Sequence, residues 1–291
     1  HLPVLTAQRI GPEHGQQTPG EIDKAVREAV AQGEALYTVD EAKLTELKPD
    51  VVLTQDLCDV CSIDLRTVQR IVAGMPNRPE IVNLNPETIE DVLDDLLKVG
   101  RAVGREDRAR AELAELRSRM LRAEEYVNAY EDGPVVGFME WTDPIFVAGH
   151  WNAQLIERAG GRHPLNATEA HNDAGTATGL QAGERRAGKS IAVAAEDFAR
   201  VQPEVLVIAP CGLGLDDVAK ATQDIAGEAW FKSLPAVQSG RAWLVDGNQM
   251  FNRPGPRLLD AFEWLVSIIS GRPEVSPNGF PAVRLSELPA S

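Results

Sequence analysis

Two spacings of apolar residues alternate along the chain. Short unbroken apolar runs, such as "VVLT" (Val51–Thr54) and "EVLVIA" (Glu204–Ala209), stand between stretches in which Leu, Val or Phe recur at helical intervals. Unbroken runs of that length suit parallel strands covered on both faces by helices. The same punctuation joins the two patterns. In "VDEAKLTELKPDVVLTQ" (Val39–Gln55) and "AAEDFARVQPEVLVIAP" (Ala194–Pro210) an acid opens a helix, Pro closes it, and a strand follows. Further strands are expected at Glu80–Leu84, Pro134–Met139 and Arg241–Val245.

One stretch breaks the alternation. "GREDRARAELAELRSRMLRAEEYVNAYEDG" (Gly104–Gly133) has no Pro and no internal Gly, and Leu113, Leu116, Met120, Leu121 and Val127 recur near helical spacing. It predicts one helix of about 25 residues, or about 37 Å. The expected fold is therefore α/β: two lobes with mainly parallel sheets flanked by helices, joined by one long interdomain helix. The boundaries fall at residues 1–104 for the N-terminal lobe, 105–132 for the connecting helix and 133–291 for the C-terminal lobe.

Composition narrows the function. At 291 residues and 43% hydrophobic, the chain is long enough for two ordinary domains with their own cores. A net charge of −15 argues against nucleic acid and against an anionic membrane surface. No apolar run approaches the roughly 18 residues of a membrane span; "FEWLVSIIS" is short and carries Glu263. The opening "HLPVLTAQRIGPEHGQQ" has neither a charged nor an apolar leader region, so no signal peptide is expected within it. The location expected is periplasmic or extracytoplasmic if a signal lies upstream, and cytoplasmic otherwise. No GxxxxGK[ST] or GxGxxG nucleotide pattern occurs.

Candidate chemistry gathers at strand ends, where open α/β sheets bind ligands. Cys58 and Cys61, in "DLCDVC", follow the strand Val51–Thr54 beside Asp56. Cys211, in "APCGLGLDD", follows the strand at Val205 and precedes Gly212. A structural zinc site, a redox pair, packing of a tight loop and ligand contact all remain open for these thiols. A zinc site lacks a fourth ligand at matching spacing, and the strand-plus-CxxC redox signal is short. In "GFMEWTDPIFVAGHWNAQLIERAGG" (Gly137–Gly161), Trp141 ends a strand, and His150 and Trp151 open a helix closed by Gly160–Gly161. Two Trp and a His there suit a flat organic ligand, with core packing as the alternative. His150 is either a metal-centre ligand or a capping, hydrogen-bonded side chain. In "LVDGNQMFNRPGPRLLDAFEWL" (Leu244–Leu265), Phe251 and Arg253 are expected to project from a loop, to stack on a ligand and pair with a carboxylate or phosphate. A solvated loop charge is the alternative for Arg253. "HPLNATEAHNDAGTATG" reads as a surface loop whose His163 and His171 are weak metal candidates.

Four ordered segments, "LKPDVVLTQDLCDVC", "EWTDPIFVAGHW…ERAGG", "PEVLVIAPCG" and "DGNQMFNRPGPRL", resemble the substrate-binding proteins of cobalamin and iron–siderophore ABC importers, in their cobalamin-binding-protein-like branch. The resemblance implies reversible capture of a metal chelate between two lobes, not catalysis. It implies cobalamin or another corrinoid as ligand, no obligatory cofactor, a monomer, and an ABC permease and ATPase as partners. The alternatives are haem or an iron–siderophore, or an intracellular thiol, redox or sensing domain on the same fold. By position, Asp56, Cys58, Cys61, Trp141, His150, Trp151, Cys211, Gly212, Phe251 and Arg253 would bind the ligand. Such proteins begin with a further strand and helix before a segment like "LPVLT", so the N-terminal lobe is expected without them.

Overall fold

A computed structural model describes residues 2–9, 17–55, 63, 65–170 and 185–288. Contacts divide the chain into two units, residues 1–86 with 94–113 and residues 87–93 with 114–291.

The first unit carries β1 (Thr6–Gln8), α1 (Pro19–Ala31), β2 (Tyr37–Val39), α2 (Glu41–Leu47), β3 (Val51–Thr54), α3 (Leu65–Ala73) and β4 (Glu80–Asn83). The acid that opens α2 is the one read from the sequence, and the start of α1 adds a cap that was not. Thr18 caps α1 in a reciprocal capping box with Glu21, and Pro19 occupies the first turn. Asp40 caps α2 through the Lys43 amide at 2.9 Å, and Lys48 ends that helix in the left-handed region. β1 pairs antiparallel with β2, and β3 pairs parallel with β4. The core is small: Leu44, Val68, Ile71, Val72 and Met75 are buried, with Leu5, Val39, Val52, Ile63 and Ile81 packed against them. Leu53, within β3, stays 48% exposed. α4 (Ile89–Ala102) and α5 (Glu106–Glu124) each contribute residues to both units. α5 covers 19 residues and ends at Glu124, shorter than the helix of about 25 residues expected within 105–132. Beyond it the Tyr126 and Val127 amides close tight turns onto Ala123 and Glu124.

The second unit runs through β5 (Val136–Thr142), β6 (Ile145–Val147), α6 (His150–Arg158), β7 (Glu169–Ala170), β8 (Arg185–Arg186) and β9 (Ile191–Val193). There follow α7 (Ala195–Arg200), β10 (Val205–Ile208), α8 (Leu215–Ala226), α9 (Ala229–Lys232), α10 (Pro235–Gln238), β11 (Ala242–Val245), α11 (Leu258–Ser270) and β12 (Ala282–Arg284). The six-stranded sheet has the order β12–β11–β10–β5–β6–β9. Its centre, β11–β10–β5, is parallel, and antiparallel strands extend it on both sides.

Every residue of β10 and β11 is buried, which is why their sequences are unbroken apolar runs. One core cluster holds Met139, Leu206, Ile208, Phe198, Val218 and Phe231. A separate aromatic group joins Phe138 to Phe251, with centroids 5.0 Å apart, and Phe251 to Trp264 at 6.1 Å. Trp264 stacks on Phe280 at 4.8 Å. α11 is buried along most of its length from Leu258 to Ser267. Among the described residues, no helix is long and apolar enough to cross a membrane.

Buried polar contacts fasten this unit's separate segments. The Arg158 side chain, 5% exposed, donates to Glu124 at 3.0 and 2.6 Å and to Glu90. Gln154, on the same helix, accepts from the Ile89 amide at 2.8 Å and donates to the Arg185 carbonyl at 3.0 Å. Residues 87–93, distant in sequence, are thereby tied to α6. Arg119 of α5 forks onto Asp260 and Glu263 of α11, both at 2.6 Å.

Candidate functional site

The strand ends of the second unit are knitted into one belt. The Cys211 amide, just past β10, donates to the Glu140 carbonyl on β5 at 3.0 Å. The Gly212 amide reaches the Gly247 carbonyl at 3.3 Å, and the Asn248 amide reaches Leu213 at 3.0 Å. Asn252 stitches the same loops from its side chain, donating to the carbonyls of Ala209 at 2.9 Å and Gly247 at 3.0 Å. Asp246 organises the turn after β11, accepting from the Asn248 and Gln249 amides at 3.0 and 2.9 Å.

The start of α6 joins the belt at two points. Trp151 donates its indole N–H to the Phe251 carbonyl at 2.7 Å. Glu140 accepts from Asn152 at 2.7 Å, from the Gly149 amide at 3.4 Å and from the Ser190 hydroxyl. Burial pushes the Glu140 carboxyl up from its ordinary value, and these hydrogen bonds only partly offset it. The Asn152 side-chain oxygen is buried and makes no hydrogen bond among the described residues.

Backbone meets backbone at two glycines of the belt. A Cβ on Gly149 would overlap the main chain of Gly188, Lys189 and Ser190, and one on Gly247 would overlap the Pro210 carbonyl. Next to Gly149, His150 takes a left-handed φ of 45°, its amide bound to the Gly188 carbonyl at 2.8 Å. Phe251 is likewise left-handed, with φ 64°. Such conformations cost energy in residues with side chains and persist where surrounding contacts impose them.

The expected site residues divide into three groups. Trp141, His150, Cys211, Gly212 and Arg253 stand on the belt or beside it. Trp141 and His150 are half-buried, and Cys211, Gly212 and Arg253 are exposed. Trp151 and Phe251 are corrections. Trp151 is 7% exposed and Phe251 fully buried, so these rings are core and do not project. Their aromatic neighbours and the indole hydrogen bond account for the burial. Asp56, Cys58 and Cys61, and the weaker candidate His171, lie outside the described residues.

Arg253 donates to the Asn248 carbonyl at 2.5 Å and to its side-chain oxygen at 2.6 Å. Arg257 donates to Gln249 at 3.1 Å. Together with Pro254 and Pro256 these residues line an open basin of about 550 Å³. His163 is a further correction: it is buried, not on a surface loop. Its ring nitrogens face the carbonyls of Val136 at 3.1 Å and Ala148 at 3.3 Å. Burial holds its pKa below the ordinary value despite those carbonyls. Glu140, Asn152, Ser190 and Asn252 were not expected. The signal for Glu140 was an acid within an otherwise apolar strand.

The sequence profile of the periplasmic binding protein family matches residues 18–247. The chain belongs to that family. Periplasmic binding proteins of this family capture small metal chelates for ABC transporters and are not enzymes; they are typically periplasmic or extracytoplasmic. Among solved structures the chain is similar to a periplasmic heme-binding protein from Pseudomonas aeruginosa. That match has 20% identity and a TM-score of 0.61, and covers 88% of this chain and 85% of that one. It is similar to the periplasmic vitamin B12-binding protein of Vibrio cholerae at 18% identity and TM-score 0.55, covering 81% and 80%. A possible iron-binding periplasmic protein from Staphylococcus epidermidis matches at 19% identity and TM-score 0.57, covering 81% of each chain. At these identities the likeness is one of fold. No curated protein matches the chain.

Proposed function

We propose that the chain is the substrate-binding component of an ABC importer and that it reversibly captures a metal chelate, with cobalamin or another corrinoid foremost. The reading rests on the belt, which holds Trp141, His150, Cys211, Gly212 and Arg253 on one hydrogen-bonded frame at the strand ends of the second unit. That frame offers a half-buried indole, an imidazole, the exposed residues Cys211 and Gly212 and two arginines. Those groups match a flat, partly apolar chelate with polar edges. Haem and an iron–siderophore are the competing ligands, and the three named relatives carry haem, vitamin B12 and iron in their descriptions.

The test is titration of the purified chain with cobalamin and with haem, followed by the visible spectrum. Saturable binding of one of them is expected. No binding of either at about 100 μM, an affinity near 5.5 kcal/mol, would overturn the reading.

A further inference from the structure

Two histidines stand among the described residues, and they differ in what their rings do. His163 faces a carbonyl with each nitrogen. The His150 ring, half-buried, makes no hydrogen bond among the described residues. Its neighbours are the Trp151 ring, 5.8 Å away by centroid, and the charges of Glu87 and Lys189.

The backbone beneath this ring is fixed. The His150 amide is bound to Gly188, and Gly149 packs against residues 188–190 too closely for a Cβ. Both contacts hold the left-handed φ against one segment, residues 188–190. A side chain on such a base is preorganised rather than swinging on a loose loop. Burial, the largest influence, and Lys189 favour the neutral imidazole, against Glu87. The neutral form is the one that binds metals.

Among the described residues, no group of three or more His, Cys, Asp or Glu is placed to hold a metal ion. One imidazole does not build a site for a bare ion, which needs several protein donors. It does suit a metal whose other positions a macrocycle already fills, with one axial position exchangeable.

We infer that His150 is an axial ligand to the metal centre of the captured chelate, an inference that rests on the proposed function. In the binding step an imidazole nitrogen gives its lone pair to the metal and the axial water leaves as water. No electron moves, and no proton is lost or gained. Ligands that present water at that axial position are therefore favoured over those capped by a strong ligand such as cyanide.

The experiment titrates the full chain with diaquocobinamide and with ferric protoporphyrin, each followed by visible spectroscopy. His150→Ala and His150→Gln are measured in parallel, with circular dichroism as the check on folding. Wild type should show the band shift of imidazole coordination with at least one probe. Both variants should lose that shift and bind about tenfold or more weakly, and added imidazole should restore the shift to His150→Ala. The wild-type shift should fade on acidification as the imidazole protonates. Binding with identical wild-type and His150→Ala spectra overturns the ligation and leaves the proposed function standing. No binding of either probe to wild type overturns both. Should His150→Ala fail to fold, the same comparison on His150→Gln decides.

Discussion

Arg158→Met is the sharpest test of how the second unit holds its distant segments. Arg158 is 5% exposed, and its two partners are unequal. Glu124 is 13% exposed and takes two of the hydrogen bonds, whereas Glu90 is 38% exposed. An exposed pair contributes about 0–1 kcal/mol. Removing one member of a buried pair costs about 3–5 kcal/mol, because the other charge stays behind uncompensated. The second oxygen of Glu124 already has no hydrogen bond among the described residues, so nothing there can take up that charge. A loss of about 3 kcal/mol is therefore expected, chiefly from Glu124. For a unit of this size it lowers Tm by roughly 6–12 °C. Urea titration followed by far-UV circular dichroism measures it. Arg158→Met/Glu124→Gln should recover more than half, since the stranded carboxylate is then neutral. A loss below about 1 kcal/mol, or a double variant worse than the single, would refute the reasoning.

Glu140 and His163 give pH dependences of opposite sign. A carboxyl raised in the folded state penalises folding above its folded value, and the penalty fades as pH falls toward the ordinary 4.5. Glu140→Gln should therefore flatten a Tm profile that in wild type carries this gain as pH falls toward 4.5; an unchanged profile would count against the buried charge. An imidazole lowered in the folded state withholds its proton, so stability declines as pH falls through the ordinary 6.5 toward the folded value. His163→Gln should lack that decline in urea titrations at stepped pH, and a decline that persists in the variant would assign it elsewhere. Trp151→Phe leaves the Phe251 carbonyl unpaired in a buried place and should cost about 1–3 kcal/mol; a loss under about 0.5 kcal/mol would mean that water replaces the indole. Hydrogen exchange read by mass spectrometry should find β1–β2 exchanging well before β10 and β5, since the first unit's core is the smaller. Equal protection in the two units would contradict this.

The α/β class, the strand positions and the helix punctuation were legible because each rests on local signals: apolar periodicity, acids at helix starts, Pro and Gly at their ends. The strand-end rule also picked out Trp141, His150, Cys211 and Gly212, which the structure places on the belt or beside it. What stayed hidden depends on contacts distant in sequence. An aromatic residue looks the same in a sequence whether it lines a cleft or fills a core. Only Phe138, Trp264 and the indole of Trp151 make Phe251 a core residue. Glu140 read as the polar end of a strand, because its partners Asn152 and Ser190 lie 12 and 50 positions away. The assignment of residues 87–93 to the second unit likewise depends on Gln154 and Arg158, which nothing nearby announces.

The main-chain contacts at Gly149 and Gly247 bear on how the protein can change. Much of the belt is held by amides, carbonyls and two glycines, while Trp141, Cys211 and Arg253 carry side chains that its main-chain bonds do not require. Substitutions at those three positions can alter what is held and leave the frame in place. Replacing either glycine moves the frame itself. A lineage adapting to a new chelate, or a laboratory selection doing the same, should therefore accumulate changes at the three side chains and keep both glycines.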